Sequence, residues 1–195
     1  MKILAPLISL SLLFGACSKD AEDYKETWKE QNDALKAYQD KYPAFSAPMA
    51  KNLTQAEGLW KESDAITDKE QKLAKMKEAH DVLSTVLDRL KKVESKRSDI
   101  KHLMSRIRST KVSGLKKLTA QSAMTLGTST LNRVISNLST ARTYEETAPA
   151  ASFLDSQLTM LQNTHRRIQD AYKSIKPRSK AKKKKSSEKN NKSNK

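Results

Sequence analysis

Apolar side chains recur at alternating steps of three and four along most of this chain, the spacing that lines up one face of an α-helix. The clearest run is Leu154, Leu158, Leu161, His165, Ile168, Tyr172 and Ile175, which Pro177 stops. Nearer the start, Tyr24, Trp28, Gln31, Leu35, Tyr38 and Tyr42 keep the same rhythm up to Pro43, which predicts a helix from Asp20 to Lys41. Ser46-Ala47-Pro48 places a capping residue before a proline suited to a first turn. Met49, Leu53, Ala56 and Trp60 then extend a second helix to about Ser63.

The third helix is the longest. Thr67-Asp68-Lys69-Glu70 has the layout of a capping box, in which the threonine oxygen and the glutamate carboxylate satisfy backbone donors at a helix start. Leu73, Met76, His80, Leu83, Leu87 and Leu90 then form a seam, with Val86, Val93, Ile100 and Ile107 repeating on an adjacent line. Unbroken from 68 to 109, this helix would span about 60 Å at about 1.5 Å per residue. The stripe drifts between Glu94 and Arg97, so a bend or a change of packing partner is expected there.

Residues 110 to 142 are rich in Ser, Thr and Ala, and read as a fourth helix with Leu115, Leu118, Leu126, Leu131, Val134 and Leu138 as its apolar contacts. Gly127 with Ala123 would let a neighbouring helix approach closely, or Gly127 would split the segment in two. Tyr144 to Thr147 are expected to turn, and Thr147-Ala148-Pro149 repeats the cap-and-proline device ahead of the last helix. Glycine is scarce throughout, which suits helices. The expected fold is all-α: an elongated antiparallel helical bundle of about four to five helices, one of them very long.

The two ends differ from this body. Met1-Lys2 opens an apolar stretch, Leu7 to Phe14, that closes on the small residues Gly15-Ala16 just before Cys17. That is a signal-peptide layout, too short for a membrane-spanning helix. At the other end, Ser, Asn and Lys alternate after Pro177 with almost no apolar residue, so the segment is expected to be disordered. The organisation expected is a signal peptide over 1–16, a lipidated anchor over 17–19, a helical domain over 20–175 and a lysine-rich tail over 176–195.

Leu13-Phe14-Gly15-Ala16-Cys17 resembles the lipobox of bacterial lipoproteins, where signal peptidase II cuts before a cysteine that carries the acyl chains. The resemblance implies that Cys17, the single cysteine of the chain, is the lipidation site and that a membrane is a partner through its lipid. Lipidation would occupy the thiol, leaving no disulfide framework. Ser18 stands where inner-membrane lipoproteins of enteric bacteria carry aspartate, which implies the outer membrane. Lys19-Asp20-Ala21-Glu22-Asp23 is similar to a stretch that sends some lipoproteins to the cell surface, so either face of that membrane is open.

Charge sharpens the picture. The formal net charge is +16. Residues 20 to 70 hold twelve acids against seven lysines, whereas residues 89 to 118 carry eleven bases against Glu94 and Asp99. Residues 176 to 195 carry ten bases against Glu188. An acidic start and a basic middle favour antiparallel pairing of the first helices against the third, with the middle cluster partly neutralised by the acidic hairpin. The tail lysines Lys180, Lys182, Lys183, Lys184, Lys185, Lys189, Lys192 and Lys195 are the candidate contacts to an anionic polymer such as peptidoglycan, lipopolysaccharide or glycosaminoglycan. Export and the lack of aromatics among the bases argue against nucleic acid.

Six of the nine aromatics after Phe14 lie between Tyr24 and Trp60, and Trp28, Tyr38 and Trp60 are candidates for stacking on sugar rings, though their helical spacing suits a core. His80, His102 and His165 are isolated, with His80 and His165 on apolar seams. No phosphate loop, nucleophile elbow, zinc helix or calcium loop is present, so no catalytic residue, metal or cofactor is expected. The expected role is a non-enzymatic lipoprotein of the outer membrane that tethers to an anionic polymer. Its terminal Lys195 is similar to that of Braun-type lipoproteins, whose last lysine is joined to peptidoglycan. The layout of lipobox, bundle and basic tail also resembles decorin-binding adhesins, and a periplasmic partner that binds another helix is a third possibility.

Overall fold

The computed structural model describes residues 20–141 and 150–176. Five α-helices account for nearly all of them: α1 (Ala21–Lys41), α2 (Ser46–Ala65), α3 (Lys69–Ser109), α4 (Leu115–Ser139) and α5 (Ala150–Ile175). A 3-10 turn, Pro43–Phe45, joins α1 to α2. At about 1.5 Å per residue the 41 residues of α3 extend about 60 Å, and this helix is the spine of the molecule.

Two hairpins share that spine. α2 runs antiparallel to α3, since Asp64 meets Lys72 and Glu62 meets Lys75. α1 runs parallel to α3, because Tyr24 packs edge-on against His80 while Tyr42, one α1 length further on, reaches Glu94. The expected antiparallel pairing against α3 therefore holds for α2 alone, as an up-down-up order requires. Along the later part of α3 the arrangement repeats: α5 lies parallel, pairing Asp155 with Arg89 and Tyr172 with Arg106, and α4 returns between them. The Thr130–Thr164 and Asn137–Gln157 contacts give the antiparallel course of α4 against α5.

The hairpins meet end to end at the middle of α3. Phe45 from the 3-10 turn and Phe153 from α5 are fully buried there with ring centroids 5.2 Å apart, and the end of α4 packs on the same turn, with Leu138 and, just past the helix, Ala141 buried. One continuous apolar cluster results, from Leu35 to Ile175. Burying a side chain of this size contributes about 1.5–3 kcal/mol, so the two phenylalanines help to hold the hairpins together at the joint.

Local start and stop signals act slightly out of the expected register. The cap of α3 is Asp68, whose side chain accepts from the Gln71 backbone N–H, rather than Thr67. Aspartate caps at least as well as threonine, so the box slides by one residue. A reciprocal box does occur at α1, between Asp20 and Asp23. Ser46 does not cap α2: it is already helical, because the preceding turn feeds straight into the helix.

No break occurs at Glu94–Arg97. The helix runs on unbroken, but the expected change of packing partner does occur in this middle stretch, from α1 and α2 to α4 and α5, and Glu94 and Arg97 turn inward there towards Tyr42. Gly127 does not split α4 either. It is buried where a Cβ would lie 2.5 Å from Met104 Sδ and 3.0 Å from Ile168 Cδ1, so its role is close approach. The break in this segment falls at Gly114, with φ of 56°, and α4 begins only at Leu115. The expected Tyr144–Thr147 turn and Thr147-Ala148-Pro149 cap lie outside the described residues.

Candidate functional site

The fold sorts the charges along its axis. At the start of α3, Lys72 and Lys75 take Asp64 and Glu62 of α2, at 3.7 and 3.2 Å. Donation to Glu62 first, and then to Glu78, raises the Lys75 ammonium above its ordinary range. The acidic hairpin is thus engaged locally, and it does not neutralise the basic middle cluster as expected. Arg89 pairs instead with Asp155 of α5 at 2.8 Å, and Lys96 with Asp99 on its own helix at 2.6 Å. That hydrogen bond from Lys96 holds the Asp99 carboxyl below its usual range.

At the joint, Tyr42, Glu94 and Arg97 form a closed triangle. The Tyr42 hydroxyl donates to Glu94 Oε1 at 2.5 Å, and Arg97 Nη1 donates to both, at 2.9 and 2.6 Å. Burial, aided by the Glu94 carboxylate, pushes the Tyr42 phenol up to about 12. Burial alone would raise Glu94, but donation from Tyr42 and the charges of Arg97 and Lys41 overcome it, and its carboxyl ends below the ordinary value. The triangle therefore fastens α1 to the middle of the spine, with Lys41 adding a second cation on Glu94 at 3.4 Å and Arg97 Nε left buried without a hydrogen-bond partner among the described residues.

Beyond Asp99 the balance changes. The sequence holds no acid from 100 to 144. Lys101, Arg106, Arg108, Lys111, Lys116 and Lys117, with Arg166 and Arg167 of α5 and Lys176 just past it, are exposed, and none makes an ion pair with a described acid. Arg106 lies 4.6 Å from the centre of the Tyr172 ring, and Lys173 pairs with Asp170. These bases surround the end of the rod formed by the α3–α4 turn and the last turn of α5.

The tip itself is unusual. α4 opens without a side-chain cap and without an acid in its first turn, and places Lys116 and Lys117 at its positive end. Each such lysine opposes the helix dipole by about 0.3–1 kcal/mol. Leu115 and Leu118, expected to be apolar contacts, are instead 83% and 63% exposed. The buried line of α4 is Ala120, Ala123, Gly127, Leu131, Val134 and Leu138, and extending it backwards misses both leucines. That phase, together with the acid-free run, was the signal in the sequence. Shallow clefts flank the tip, one including Arg108, Lys111, Val112 and Lys117, the other Leu118, Leu126 and Arg167.

The other candidates separate cleanly. Cys17 and the tail residues Lys180, Lys182, Lys183, Lys184, Lys185, Lys189, Lys192 and Lys195 lie outside the described residues. The described chain ends at Lys176, on the basic tip. Trp28 and Trp60 stack on each other, with centroids 4.8 Å apart at an interplanar angle of 20°, and Tyr38 packs against the core, so the rings serve the fold. His80 is half-buried with Nδ1 3.1 Å from Asp81, and no cluster of three or more metal-binding side chains exists among the described residues. No helix of the described residues is long and apolar enough to cross a membrane.

No protein-family model matches this chain, and neither a curated protein nor a solved structure matches it. What the geometry defines is an elongated all-α bundle whose body mixes acids with bases, several of them ion-paired, and whose one end carries bases over a stretch of sequence without acids.

Proposed function

We propose that this chain is a non-enzymatic lipoprotein of the bacterial outer membrane, acylated at Cys17, that holds an anionic envelope polymer such as peptidoglycan at its far end. The observation that carries this reading is the polarity of the rod. α1 and α5 both run parallel to the spine, so the chain enters near Tyr24 and leaves beyond Tyr172. Their partners His80 and Arg106 are 26 residues apart on α3, which is about 39 Å of axial separation. The lysine-rich segment thus departs from the end opposite the anchor, where the unpaired bases already cluster.

Such a layout suits a spacer. An acyl chain at one end contributes about 0.8 kcal/mol per buried methylene, while each lysine near an anionic surface contributes about 1 kcal/mol. Neither end needs a shaped pocket or a catalytic group. Residues 176–195 would carry most of the affinity, with the tip as their continuation.

The test compares the chain from Ser18 with a truncation after Lys176, by sedimentation with purified peptidoglycan sacculi and by retention on heparin. Truncation is expected to remove most of both interactions, and full-length binding should weaken steeply with salt, as counterion release requires. Retained binding after truncation overturns the role of the tail.

A further inference from the structure

Charge alone does not account for the tip. Among the described residues the large apolar side chains left exposed are Leu115, Leu118 and Ile135, and the first two, at 83% and 63%, are the barest. They stand three positions apart at the start of α4, hence on one face, with Lys116 and Lys117 between them. Arg108 and Lys111, across the turn, line one cleft with Lys117. The site is convex and terminal: α3 ends at Ser109, α5 ends at Ile175, and the Gly114 turn carries the chain between α3 and α4.

We propose that this tip docks on an anionic phospholipid bilayer, with Leu115 and Leu118 entering the headgroup–acyl boundary and the surrounding lysines and arginines lying on lipid phosphates. A soluble polyanion would match the bases but offers the leucines no apolar phase. A bilayer offers both, and it deforms around a protruding tip where a protein groove must already fit it. Apolar residues interleaved with long basic side chains are the pattern of surface-bound helices, since the stems lie along the apolar zone while the charges stay in water. The two lysines at the positive end of α4 point the same way. Within the fold they oppose the dipole, whereas anionic headgroups would satisfy lysines and helix terminus together. From residue 100 to 141 there are seven bases and no acid to repel such a surface.

Docking of the tip needs neither Cys17 nor the tail. The buried core comes from residues within 35–175, so a chain starting at Ser18, without acyl groups, keeps the fold. Its binding to large unilamellar vesicles of phosphatidylcholine with about one third phosphatidylglycerol is measured by co-sedimentation, at low salt and at about 0.5 M salt, where screening suppresses the tail's contribution. Leu115→Ser with Leu118→Ser is expected to lower partitioning at high salt by about tenfold or more, from the loss of leucine burial. Thermal unfolding should be unchanged, as both side chains are exposed. A polarity-sensitive fluorophore on Leu115→Cys, the single cysteine of that chain, should shift to the blue with these vesicles and not with heparin. Unchanged partitioning of the double variant overturns the proposal. So does an unshifted probe, an equal shift with heparin, or a shift that follows protein concentration without vesicles, the last two pointing to a soluble polymer or a second copy.

Discussion

Tyr42, Glu94 and Arg97 show how little of a joint can be visible in sequence. Two of them sit where the apolar stripe of α3 drifts, which reads as a bend or a change of packing partner, and the third looks like the last aromatic of α1. Only their meeting at 2.5–2.9 Å explains why a glutamate and an arginine face inward on an unbroken helix. Glu94→Gln leaves Arg97 without its charge partner and is expected to cost about 2–3 kcal/mol, less than the full loss at a buried pair because Glu94 keeps some solvent contact. The pH dependence has a defined sign. Glu94 is held below its ordinary value, so its stabilisation is present above the unfolded carboxylate range and lost as pH falls through the folded one. Tyr42 is raised from 10.0 to about 12, so stability declines as pH rises across that interval, where the unfolded chain releases its proton first. Urea unfolding across pH checks both: Glu94→Gln should flatten the acid limb and Tyr42→Phe the alkaline one, and parallel limbs would contradict the assignment.

At the scale of elements, all five helices were legible from periodicity, because each buries a face at steps of three and four against the spine. Their beginnings were less so. Several acceptable caps lie side by side at Thr67-Asp68, and the fold uses the second; Ser46 was passed over because a turn already in helical register precedes it. α4 was the hardest helix to read, since its buried face is built from Ala120, Ala123, Gly127 and Thr130 and leaves its first leucines outside. Its glycines have opposite meanings. Gly114 takes a positive φ to turn the chain, while Gly127 makes room for Met104 and Ile168. Gly127→Val should therefore cost about 2 kcal/mol through overpacking. Gly58→Ala, in the open on α2, should gain up to about 1 kcal/mol of helix propensity. Denaturant midpoints of the two variants would show the contrast, and equal shifts would refute the close packing at Gly127.

At the scale of the whole molecule, the length of the α3 seam and the charge blocks already implied a long, polarised bundle. What they could not supply was topology. An acidic hairpin and a basic middle cluster suggest mutual neutralisation, yet Asp64 and Glu62 engage the first turns of α3, and Arg89 finds Asp155 on α5. Lys101, Arg106, Arg108, Lys111, Lys116 and Lys117 make no ion pair with a described acid, and they lie towards the end at which the described chain closes on Lys176. The candidate site was thus legible as a run of charge, but its position at one pole follows from α5 lying parallel to α3, which no local pattern encodes.

The central claim is that anion binding belongs to that pole. Salt-dependent retention on heparin, measured on the chain from Ser18, tests it most directly when two charge-removal variants of equal size are compared. One neutralises Lys111, Lys116 and Lys117 at the far tip, and the other neutralises Lys25, Lys61 and Lys69 at the near end, each by substitution to Gln. The far-end variant is expected to elute at clearly lower salt, with a shallower salt dependence because fewer counterions are released, while the near-end variant elutes with the parent chain. Equal shifts for the two would mean that net charge alone drives binding, and would contradict a polarised tether.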